Sequence, residues 1–285
     1  PISPLPDPDF TKTIFSEAQS QAVDALVHAV KQNTSSTLLL EGVTGSGKTE
    51  VYFEAVAETL RSGRQSLILM PEIALTGQFL DRFEKRFGVR PAEWHSGISG
   101  RRREKIFAAL ASGEAKVIAG ARSALFLPYA NLGLIIVDEE HETAYKQEDG
   151  VHYHARDMAV VRGRIENAPV ILASATPSIE SRVNAKAGRY LHVKLPERHG
   201  GRAMPDIATI GMREDAPAKT KFLSPRLVSE IKETIARGEQ ALLYLNRRGY
   251  APLTLCRHCG HSFQCPNCTT WLVEHRFRRA LMCHH

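Results

Sequence analysis

The sequence predicts an α/β fold, in which a parallel β-sheet carries helices on both of its faces. Short apolar segments of strand length alternate along the chain with stretches of helical composition. A glycine-rich segment, Gly42–Thr49, stands between the first of these strands and the helix that follows it. Parallel strands need a long crossover connection, usually a helix, so the alternation favours a parallel sheet covered on both sides.

The composition is that of a globular protein with a sizeable core. Of the 285 residues, 43% are hydrophobic and 24% are charged, which suits one large domain or two ordinary ones. The net charge of +6 permits a polyanionic partner without establishing one. No apolar run approaches the roughly 20 residues that a bilayer span needs, so no membrane segment is expected.

The N-terminal residues are expected to form a linker over positions 1–14. Pro1–Phe10 is rich in proline and acidic residues and is unlike a secretion signal. All five cysteines lie after Tyr250, which argues against a disulfide framework and for a reducing compartment. We therefore expect a cytoplasmic protein. Phe15–Val30 has the pattern of an amphipathic helix, with Ser16 as its N-cap.

Gly42–Thr49, the phosphate loop, fits the pattern of a glycine, four residues and Gly-Lys-Thr. A predicted helix over Glu50–Leu60 follows it. Backbone N–H groups and the helix N-terminus would bind phosphate oxygens. Lys48 would contact the β- and γ-phosphates, and the Thr49 hydroxyl would bind Mg²⁺. A glycine-rich turn that matches by chance is the alternative. The candidate nucleotide-binding residues are Gly42, Val43, Thr44, Gly45, Ser46, Gly47, Lys48 and Thr49.

The other elements of the first domain follow the same alternation. The predicted strands are Thr37–Leu40, Leu67–Met70, Lys116–Ala119, Leu134–Val137 and Val170–Ala173. Pro71–Thr76 follows the second strand, where open α/β sheets place ligand contacts. Arg101–Arg103 opens a helix and either contacts phosphates or lies on a solvated face. Arg122 directly follows a strand and is the better phosphate candidate.

Asp138–His141, the acidic motif, reads Asp-Glu-Glu-His and follows the apolar strand Leu134–Val137. Asp138 would hold Mg²⁺, directly or through water, and Glu139 would orient and activate the attacking water. The alternative is an acidic helix N-terminus stabilised by the helix dipole. Because a phosphate loop lies upstream, we predict that Lys48, Asp138 and Glu139 are catalytic.

Gly42–Thr49, Pro71–Thr76, Asp138–His141 and Ser174–Thr176 together resemble the motifs of superfamily 2 helicases of the DEAH type. Arg122–Phe126 and the segment Asn246–Tyr250 also resemble the bacterial replication-restart helicases, and the likeness covers nearly all of the chain from Phe15 onward. The resemblance implies a RecA-like P-loop helicase lobe followed by the start of a second lobe. It implies an ATP-driven 3′→5′ DNA helicase that needs Mg²⁺ and acts in primosome assembly at stalled forks.

The resemblance also implies partners and further site residues. Forked or single-stranded DNA, a single-stranded-DNA-binding protein and other primosomal proteins are the implied partners. Gln19 would contact adenine, although alone it would be an ordinary exposed helix residue. Residues 145–157, the aromatic loop, would couple DNA binding to hydrolysis through base stacking on Tyr145 and Tyr153. The remaining candidates for coupling or DNA contact are Arg122, His141, Ser174 and Thr176. Ala121 stands where the family usually has threonine.

The predicted domain boundaries follow from pattern and resemblance. The helicase lobe covers 15–195, the inter-lobe linker 196–222, the start of the second lobe 223–255 and a partial zinc-binding region 256–285. The linker prediction rests on Arg189–Pro217, which is rich in proline, glycine and histidine and lacks periodicity. In the second lobe we expect a helix from Ser224 to Gly238 and a strand at Ala241–Leu245.

The cysteines predict zinc. Two Cys-x-x-Cys pairs present thiolates at the spacing of tetrahedral zinc sites, whereas a redox motif does not come in pairs. By resemblance, the complete protein would bind two zinc ions. Cys265 and Cys268 would share one with Cys283, and the other pair would share the second with residues downstream. The candidate zinc ligands are Cys256, Cys259, Cys265, Cys268 and Cys283.

Two other functions remain open at this point. One is a motor that translocates on duplex DNA without unwinding it. The other is a zinc-stabilised nucleic-acid-binding adaptor with a vestigial nucleotide site, against which the intact Lys48, Asp138 and Glu139 argue. We expect a DNA-dependent ATPase whose residues 1–285 alone hydrolyse ATP negligibly, because the later motifs of the second lobe are absent from them.

Overall fold

The structure is a computed structural model that describes residues 5–71, 77–148, 150–196, 206–218 and 221–244, and near the C-terminus 261, 263, 265, 266, 272–275 and 280–282. The chain divides into two compact units, Pro1–Ala203 and Met204–His285. The loop predicted at 72–76, the segment 246–250 and four of the five cysteines lie outside the described residues. The predicted domain boundaries remain predictions.

A seven-stranded parallel sheet forms the centre of the first unit. Its strands are β1 (Thr37–Gly42), β2 (Gln65–Leu69), β3 (Ala92–Trp94), β4 (Val117–Gly120), β5 (Leu132–Asp138), β8 (Val170–Ser174) and β9 (Leu191–Leu195). A separate antiparallel pair consists of β6 (Lys146–Gln147) and β7 (Tyr153–His154). The order in the large sheet is β3-β4-β2-β5-β8-β1-β9. The predicted fold class is confirmed.

Six helices are described in the first unit; the first precedes β1 and the other five lie between strands. They are α1 (Glu17–Gln32), α2 (Lys48–Arg61), α3 (Gly77–Phe87), α4 (Gly100–Ala111), α5 (Ala155–Ile165) and α6 (Ile179–Lys186). Short 3₁₀ helices cover Arg122–Phe126 and Thr143–Tyr145. Of the helices that the structure describes, none is long and apolar enough to cross a membrane.

Apolar clusters cover both faces of the sheet. Successive side chains of a strand point to opposite faces, so consecutive apolar residues of one strand enter different clusters. Leu38 and Leu40 of β1 pack in one cluster, with side chains from α1, α2 and α3. Leu39 packs in the other cluster, with side chains from α4 and α5. The strands buried on both faces are near-continuous apolar runs for this reason.

Local sequence explains how α1 begins. Ser16 is the N-cap; its Oγ accepts a hydrogen bond from Gln19 N, and Gln19 Oε1 accepts one from Ser16 N at 3.0 Å. This capping box satisfies two of the free N–H groups of the first turn. The helix therefore starts two residues later than Phe15, where we expected it.

Two strands of the sheet were not predicted. β3 has only three residues, all half-buried, and β9 is an edge strand with a mixed burial pattern. Leu191–Leu195 lies within the predicted helicase lobe, but Arg189–Pro217 lacks clear periodicity and no strand was predicted there. Leu191–Leu195 pairs with β1 in parallel, and an edge strand with one exposed side lacks the long apolar run of a central strand.

The second unit contains α7 (Pro225–Ala236) and the antiparallel pair β10 (Val273–His275) and β11 (Ala280–Met282). Ser224 caps α7, as predicted, by accepting a hydrogen bond from Leu227 N. The strand expected at Ala241–Leu245 is not formed at 241–244, and position 245 lies outside the described residues. A strand needs a neighbour for its backbone hydrogen bonds, and the described residues give this segment none.

The capping box predicts a measurable contribution to stability. Ser16→Ala should lower the free energy of unfolding by about 0.5–2 kcal/mol, because it leaves a helix N–H without its acceptor. Ser99→Ala is the matched control, since Ser99 is the N-cap of α4 but makes no side-chain capping bond. Urea denaturation measures both variants. An equal effect at the two positions would show that the capping box contributes nothing.

Candidate active site

The site forms where β5, β8 and β1, three adjacent strands, end at one edge of the sheet. β1 ends at Gly42 in the phosphate loop, and β5 ends at Asp138 in the acidic motif. Between them, β8 ends at Ser174, the first residue of Ser174–Thr176. Parallel pairing therefore brings three motifs that are distant in sequence to the same edge, where open α/β sheets bind ligands.

The phosphate loop has the backbone of an anion-binding turn. Gly45 and Gly47 have φ angles of 81° and 84°, in the region that favours glycine. A Cβ on Gly47 would lie 2.5 Å from Gln19 Nε2, so only glycine fits there. α2 starts at Lys48 without any side-chain cap, and its first N–H groups are free to bind an anion.

Lys48 and Ser46 fit a phosphate-bearing ligand. Lys48 is 9% exposed, and its Nζ donates to Gly42 O at 2.8 Å. A buried ammonium at a helix N-terminus is unfavourable unless an anion comes close to it. The buried Oγ of Ser46 has no hydrogen-bond partner among the described residues. Both groups are polar and under-satisfied, as expected of a site that binds phosphate.

A cleft of about 490 Å³, the first cleft, lies over the phosphate loop. Its lining includes the predicted residues Gln19, Thr44, Gly45, Ser46, Gly47, Lys48, Thr49, Asp138 and Glu139. Sequence reasoning missed five lining residues, namely Thr13, Ile14, Phe15, Glu50 and Arg82. Gly42 and Val43 are not in the lining; their carbonyls accept hydrogen bonds from Lys48 Nζ and Ser46 N. Thr13 and Ile14 lie in the expected linker and Phe15 follows it directly. The pattern of polar and apolar residues in this segment did not indicate a binding site.

Gln19 holds the phosphate loop in this structure. Its Nε2 donates to Ser46 O at 2.9 Å, and its Oε1 accepts from Ser16 N. Both ends of the amide are therefore occupied by protein groups, although the side chain also borders the first cleft. The expected adenine contact stays a prediction, while the contact to the loop explains why the amide is buried.

The carboxylate of Asp138 is fixed by two hydrogen bonds. Tyr52, on α2, donates its hydroxyl proton to Asp138 Oδ2 at 2.8 Å, and Glu139 N donates to Oδ1 at 3.0 Å. Burial raises the pKa of Asp138, and the Tyr52 hydrogen bond opposes this shift. The Thr49 hydroxyl and the Asp138 carboxylate border the same cleft and are oxygen donors of the kind that Mg²⁺ prefers.

Glu139 presents its carboxylate to the first cleft. Its backbone φ is 47°, a left-handed value that is uncommon for a residue other than glycine. Burial raises the pKa of Glu139, and the negative charge of Asp138 raises it further. A carboxylate with a raised pKa accepts a proton more readily, which suits a general base.

His141 and Ser174 join the acidic motif to Ser174–Thr176. His141 Nδ1 and Ser174 Oγ are hydrogen-bonded at 2.7 Å, and Thr176 N donates to Ser174 Oγ at 2.9 Å. His141 Nδ1 also lies 3.6 Å from Glu139 Oε2. The three residues expected to couple the motifs are therefore in contact.

A second cleft, of about 660 Å³, lies at the same edge of the sheet, beyond β5. Trp94, Arg103, Arg122 and Tyr153 are in its lining. Arg103 donates to the carbonyls of His95 and Ser96, and its guanidinium lies 5.8 Å from the centre of the Trp94 ring. The second cleft therefore combines cationic and aromatic side chains.

Two of the three successive arginines, Arg102 and Arg103, have different environments. Arg103 borders the second cleft, while Arg102 is exposed and pairs with Glu93 at 3.2 Å.

Arg122 donates to the carbonyls of Ala144 and Lys146 at 3.1 and 2.6 Å. Its guanidinium therefore fixes the start of the aromatic loop, and its predicted phosphate contact stays a prediction.

The aromatic loop differs from expectation at Tyr145. We expected bases to stack on Tyr145 and Tyr153, but the Tyr145 side chain is 1% exposed. Its ring is packed in the core and its hydroxyl contacts Asp138 O and Leu69 O, so stacking on it is wrong for this structure. Tyr153 is half-buried and makes an edge contact with the exposed Phe126, at 5.1 Å between ring centres.

Only one predicted zinc ligand is described. Cys265 is half-buried and forms no disulfide with any described residue, and the other four cysteines lie outside the described residues. Across the described part of the chain, no group of three or more His, Cys, Asp and Glu side chains could hold a metal ion. Zinc binding stays a prediction.

Comparison with known proteins identifies the family. A sequence profile of DEAD/DEAH box helicases matches residues 16–184, more than half of the chain. The replication restart protein PriA of Rickettsia felis is 46% identical over 271 residues, 95% of this chain and 41% of that protein. PriA of Bacillus subtilis is 40% identical over 286 residues, 99% of this chain and 36% of that protein. The expected resemblance to replication-restart helicases is thereby confirmed.

The chain spans about two fifths of the length of these curated relatives. A solved structure titled RecG bound to a three-way DNA junction superposes with a TM-score of 0.51 and 23% identity, covering 68% of this chain and 25% of that one. At this identity the likeness shows the fold alone. The match of the family profile, together with the sheet and the motifs at its edge, shows that the chain belongs to the DEAD/DEAH box helicases.

Proposed function

We propose that this chain carries the ATP-hydrolysing part of a cytoplasmic 3′→5′ DNA helicase that acts in replication restart at stalled forks. One observation carries the proposal: Lys48, Asp138 and Glu139 border a single cleft at the end of a parallel sheet. Membership of the helicase family implies nucleotide use, generally with Mg²⁺. The role in replication restart comes from the names of the relatives. The proposed partners are DNA, a single-stranded-DNA-binding protein and other primosomal proteins.

The first step would be binding of the triphosphate. Backbone N–H groups of the phosphate loop and the uncapped start of α2 would hold the phosphate oxygens. Lys48 would leave its bond to Gly42 O and neutralise charge on the β- and γ-phosphates. The Ser46 hydroxyl, which has no partner among the described residues, is a further donor at this position.

Hydrolysis would follow from the acidic motif. Thr49 and Asp138 would hold Mg²⁺, which when bound neutralises charge that develops on the phosphates. Glu139 would accept a proton from the attacking water, and its raised pKa favours that transfer. The water must lie within hydrogen-bond reach of the Glu139 carboxylate, on the cleft side of the motif.

Coupling to DNA would run through the contacts between motifs. His141 touches both Glu139 and Ser174, so a displacement of Ser174–Thr176 would change the surroundings of the general base. The second cleft would hold single-stranded DNA, with Arg103 near phosphates and exposed aromatic edges near bases. Tyr153, which lines the second cleft, and the exposed Phe126, which contacts the Tyr153 ring, are the aromatic candidates in place of Tyr145.

The catalytic assignment is tested in a full-length protein that carries this sequence. Lys48→Ala should lower kcat for ATP by about a hundredfold or more, because it removes a charge aimed at the transferring phosphate. Glu139→Gln should bind ATP but lower kcat by about 10²–10⁴-fold, as expected of a lost general base. Steady-state ATP hydrolysis and nucleotide binding measure these effects.

Lys116→Ala is the matched control for lysine, since Lys116 Nζ also donates to a backbone carbonyl, that of Gly63, but far from the cleft. Glu166→Gln is the control for glutamate. Wild-type turnover in Lys48→Ala and Glu139→Gln would refute the catalytic assignment of these two residues. Absence of hydrolysis in the wild-type protein itself would instead favour an adaptor with a vestigial site. Strand displacement compared with triplex displacement separates unwinding from translocation on duplex DNA.

The second cleft is tested through Tyr153. Tyr153→Ala should lower the stimulation of hydrolysis by single-stranded DNA much more than hydrolysis without DNA. Loss of one base–aromatic stack is worth about 1–3 kcal/mol, so the DNA concentration for half-maximal stimulation should rise by about tenfold. Tyr244→Ala, at a residue that is 84% exposed, is the control. If both variants are stimulated equally, the second cleft does not bind bases.

We also propose that the C-terminal cysteines hold zinc, on the strength of their paired Cys-x-x-Cys spacing. A full-length protein should contain two zinc ions, as the resemblance to replication-restart helicases implies. Replacing Cys265 and Cys268 by serine should remove about half of the zinc, because thiolates are its expected ligands. Metal analysis by mass spectrometry measures this, with Lys48→Ala as a control that keeps its zinc. Full zinc content in the cysteine variant contradicts the assignment.

A further inference from the structure

We propose that Tyr52 and Tyr145 form a clamp that positions Asp138 and, through its peptide, Glu139. The inference rests on the proposed ATPase function and deepens it, since it names positioning residues for the same site. Neither ring is exposed: Tyr52 is 0% and Tyr145 is 1% exposed. Each hydroxyl reaches Asp138 from a different side, one at the carboxylate and one at the backbone carbonyl.

Tyr52 holds the side chain of Asp138. It lies on α2, three residues after Thr49, and its ring packs edge-on against Phe53 with 5.4 Å between ring centres. Because the ring is enclosed by the core, the hydroxyl has a fixed position, 2.8 Å from Asp138 Oδ2. The other carboxylate oxygen accepts from Glu139 N. The two bonds together determine the orientation in which Asp138 meets a metal ion.

Tyr145 holds the backbone of the acidic motif. Its hydroxyl lies 2.6 Å from Asp138 O and 3.0 Å from Leu69 O, and its single proton is shared between the two carbonyls. Leu69 is the last residue of β2 and Asp138 is the last residue of β5. Tyr145 therefore ties the ends of two neighbouring strands at the point where the chain leaves the sheet.

The clamp supports a backbone conformation that needs support. Glu139 has a φ of 47°, which non-glycine residues adopt rarely and which persists only where the surroundings enforce it. Besides the tyrosine bonds, Glu140 N donates to Ala173 O at 3.1 Å and Glu142 N donates to Glu139 O at 2.9 Å. This turn directs the Asp138 carboxylate towards α2 and leaves the Glu139 carboxylate in the cleft.

The two tyrosines are therefore assigned separate tasks. Tyr52 sets the orientation of the metal-binding carboxylate, whereas Tyr145 sets the path of the peptide that carries the general base. Loss of the Tyr52 hydroxyl should change metal affinity, and loss of the Tyr145 hydroxyl should change turnover. A purely structural role would lower stability in both variants and move neither quantity selectively.

The test uses Tyr52→Phe and Tyr145→Phe in a full-length protein that carries this sequence. Both changes keep the ring and remove only the hydroxyl. Tyr129→Phe is the matched control: Tyr129 is buried, and its hydroxyl donates to a backbone carbonyl, Ala124 O, at 3.0 Å. Electron paramagnetic resonance of Mn²⁺ with ADP gives metal affinity without turnover, and steady-state kinetics gives kcat and KM for ATP.

Tyr52→Phe should weaken Mn²⁺ binding in the ADP complex by about tenfold, the loss expected for one hydrogen bond to a charged group. Tyr145→Phe should keep Mn²⁺ affinity within about twofold and lower kcat by about tenfold at unchanged KM. Tyr129→Phe should change none of these quantities. If Tyr52→Phe and Tyr145→Phe behave like Tyr129→Phe, the clamp has no role in the site.

A double-mutant cycle tests whether Tyr52 acts through Asp138. In the presence of Asp138→Asn, Tyr52→Phe should cost no further Mn²⁺ affinity, because the group that it positions is already changed. Full additivity of the two effects would overturn the proposal. If the wild-type protein bound ADP no better than Lys48→Ala, the proposed nucleotide site would fail; normal wild-type binding with no selective effect of the tyrosines would refute the clamp alone.

Discussion

The parallel pairing of β5, β8 and β1 is the constraint on which the rest of the site depends. Its register sets Asp138 level with Ala173 and Glu41 level with Ser174. Three motifs that are far apart in sequence therefore start at nearly the same position along the strand axes, at one edge of the sheet. The register also fits the packing of the core, because a shift by one residue would move Leu39 out of the cluster in which it packs and into the cluster on the opposite face. The relative positions of the three motifs and the packing of the core are consequently specified together.

A buried ionic network fixes the acidic motif from its other side. Glu140 is fully buried and accepts hydrogen bonds from Ser178 N at 2.7 Å, from Ser178 Oγ and Ser181 Oγ at 3.0 Å each, and from Arg156 Nη1 at 3.3 Å. Removing one partner of such a pair leaves an uncompensated buried charge. Arg156 lies in the first turn of α5, among the last residues of the aromatic loop, and Ser178 is the N-cap of α6 just after Ser174–Thr176. The network therefore joins the acidic motif to the starts of α5 and α6.

The elements that a local sequence pattern determines could be predicted from the sequence. Those that depend on contacts between distant residues could not. The phosphate loop, the central strands and the caps at Ser16 and Ser224 follow from glycine spacing, apolar runs and capping chemistry. β9 was missed because an edge strand can be short and mixed in polarity. The resemblance to the helicase family implied base stacking on Tyr145, yet the burial of Tyr145 depends on neighbours such as Leu69 that no local pattern reveals. Tyr52 was overlooked for the same reason, since its partner Asp138 is 86 residues away.

The position of Tyr145 gives the two clefts a physical connection. It belongs to the lining of the second cleft, while its hydroxyl is bound to the carbonyl of Asp138, whose side chain borders the first. Arg122 anchors the neighbouring carbonyls of Ala144 and Lys146, so this part of the aromatic loop is held by both arginine and tyrosine contacts. A ligand in the second cleft that displaced these carbonyls would move the backbone of Asp138 without entering the first cleft. Because Glu139 follows Asp138 in a left-handed conformation that its surroundings must enforce, even a small displacement there would change the direction of the Glu139 carboxylate.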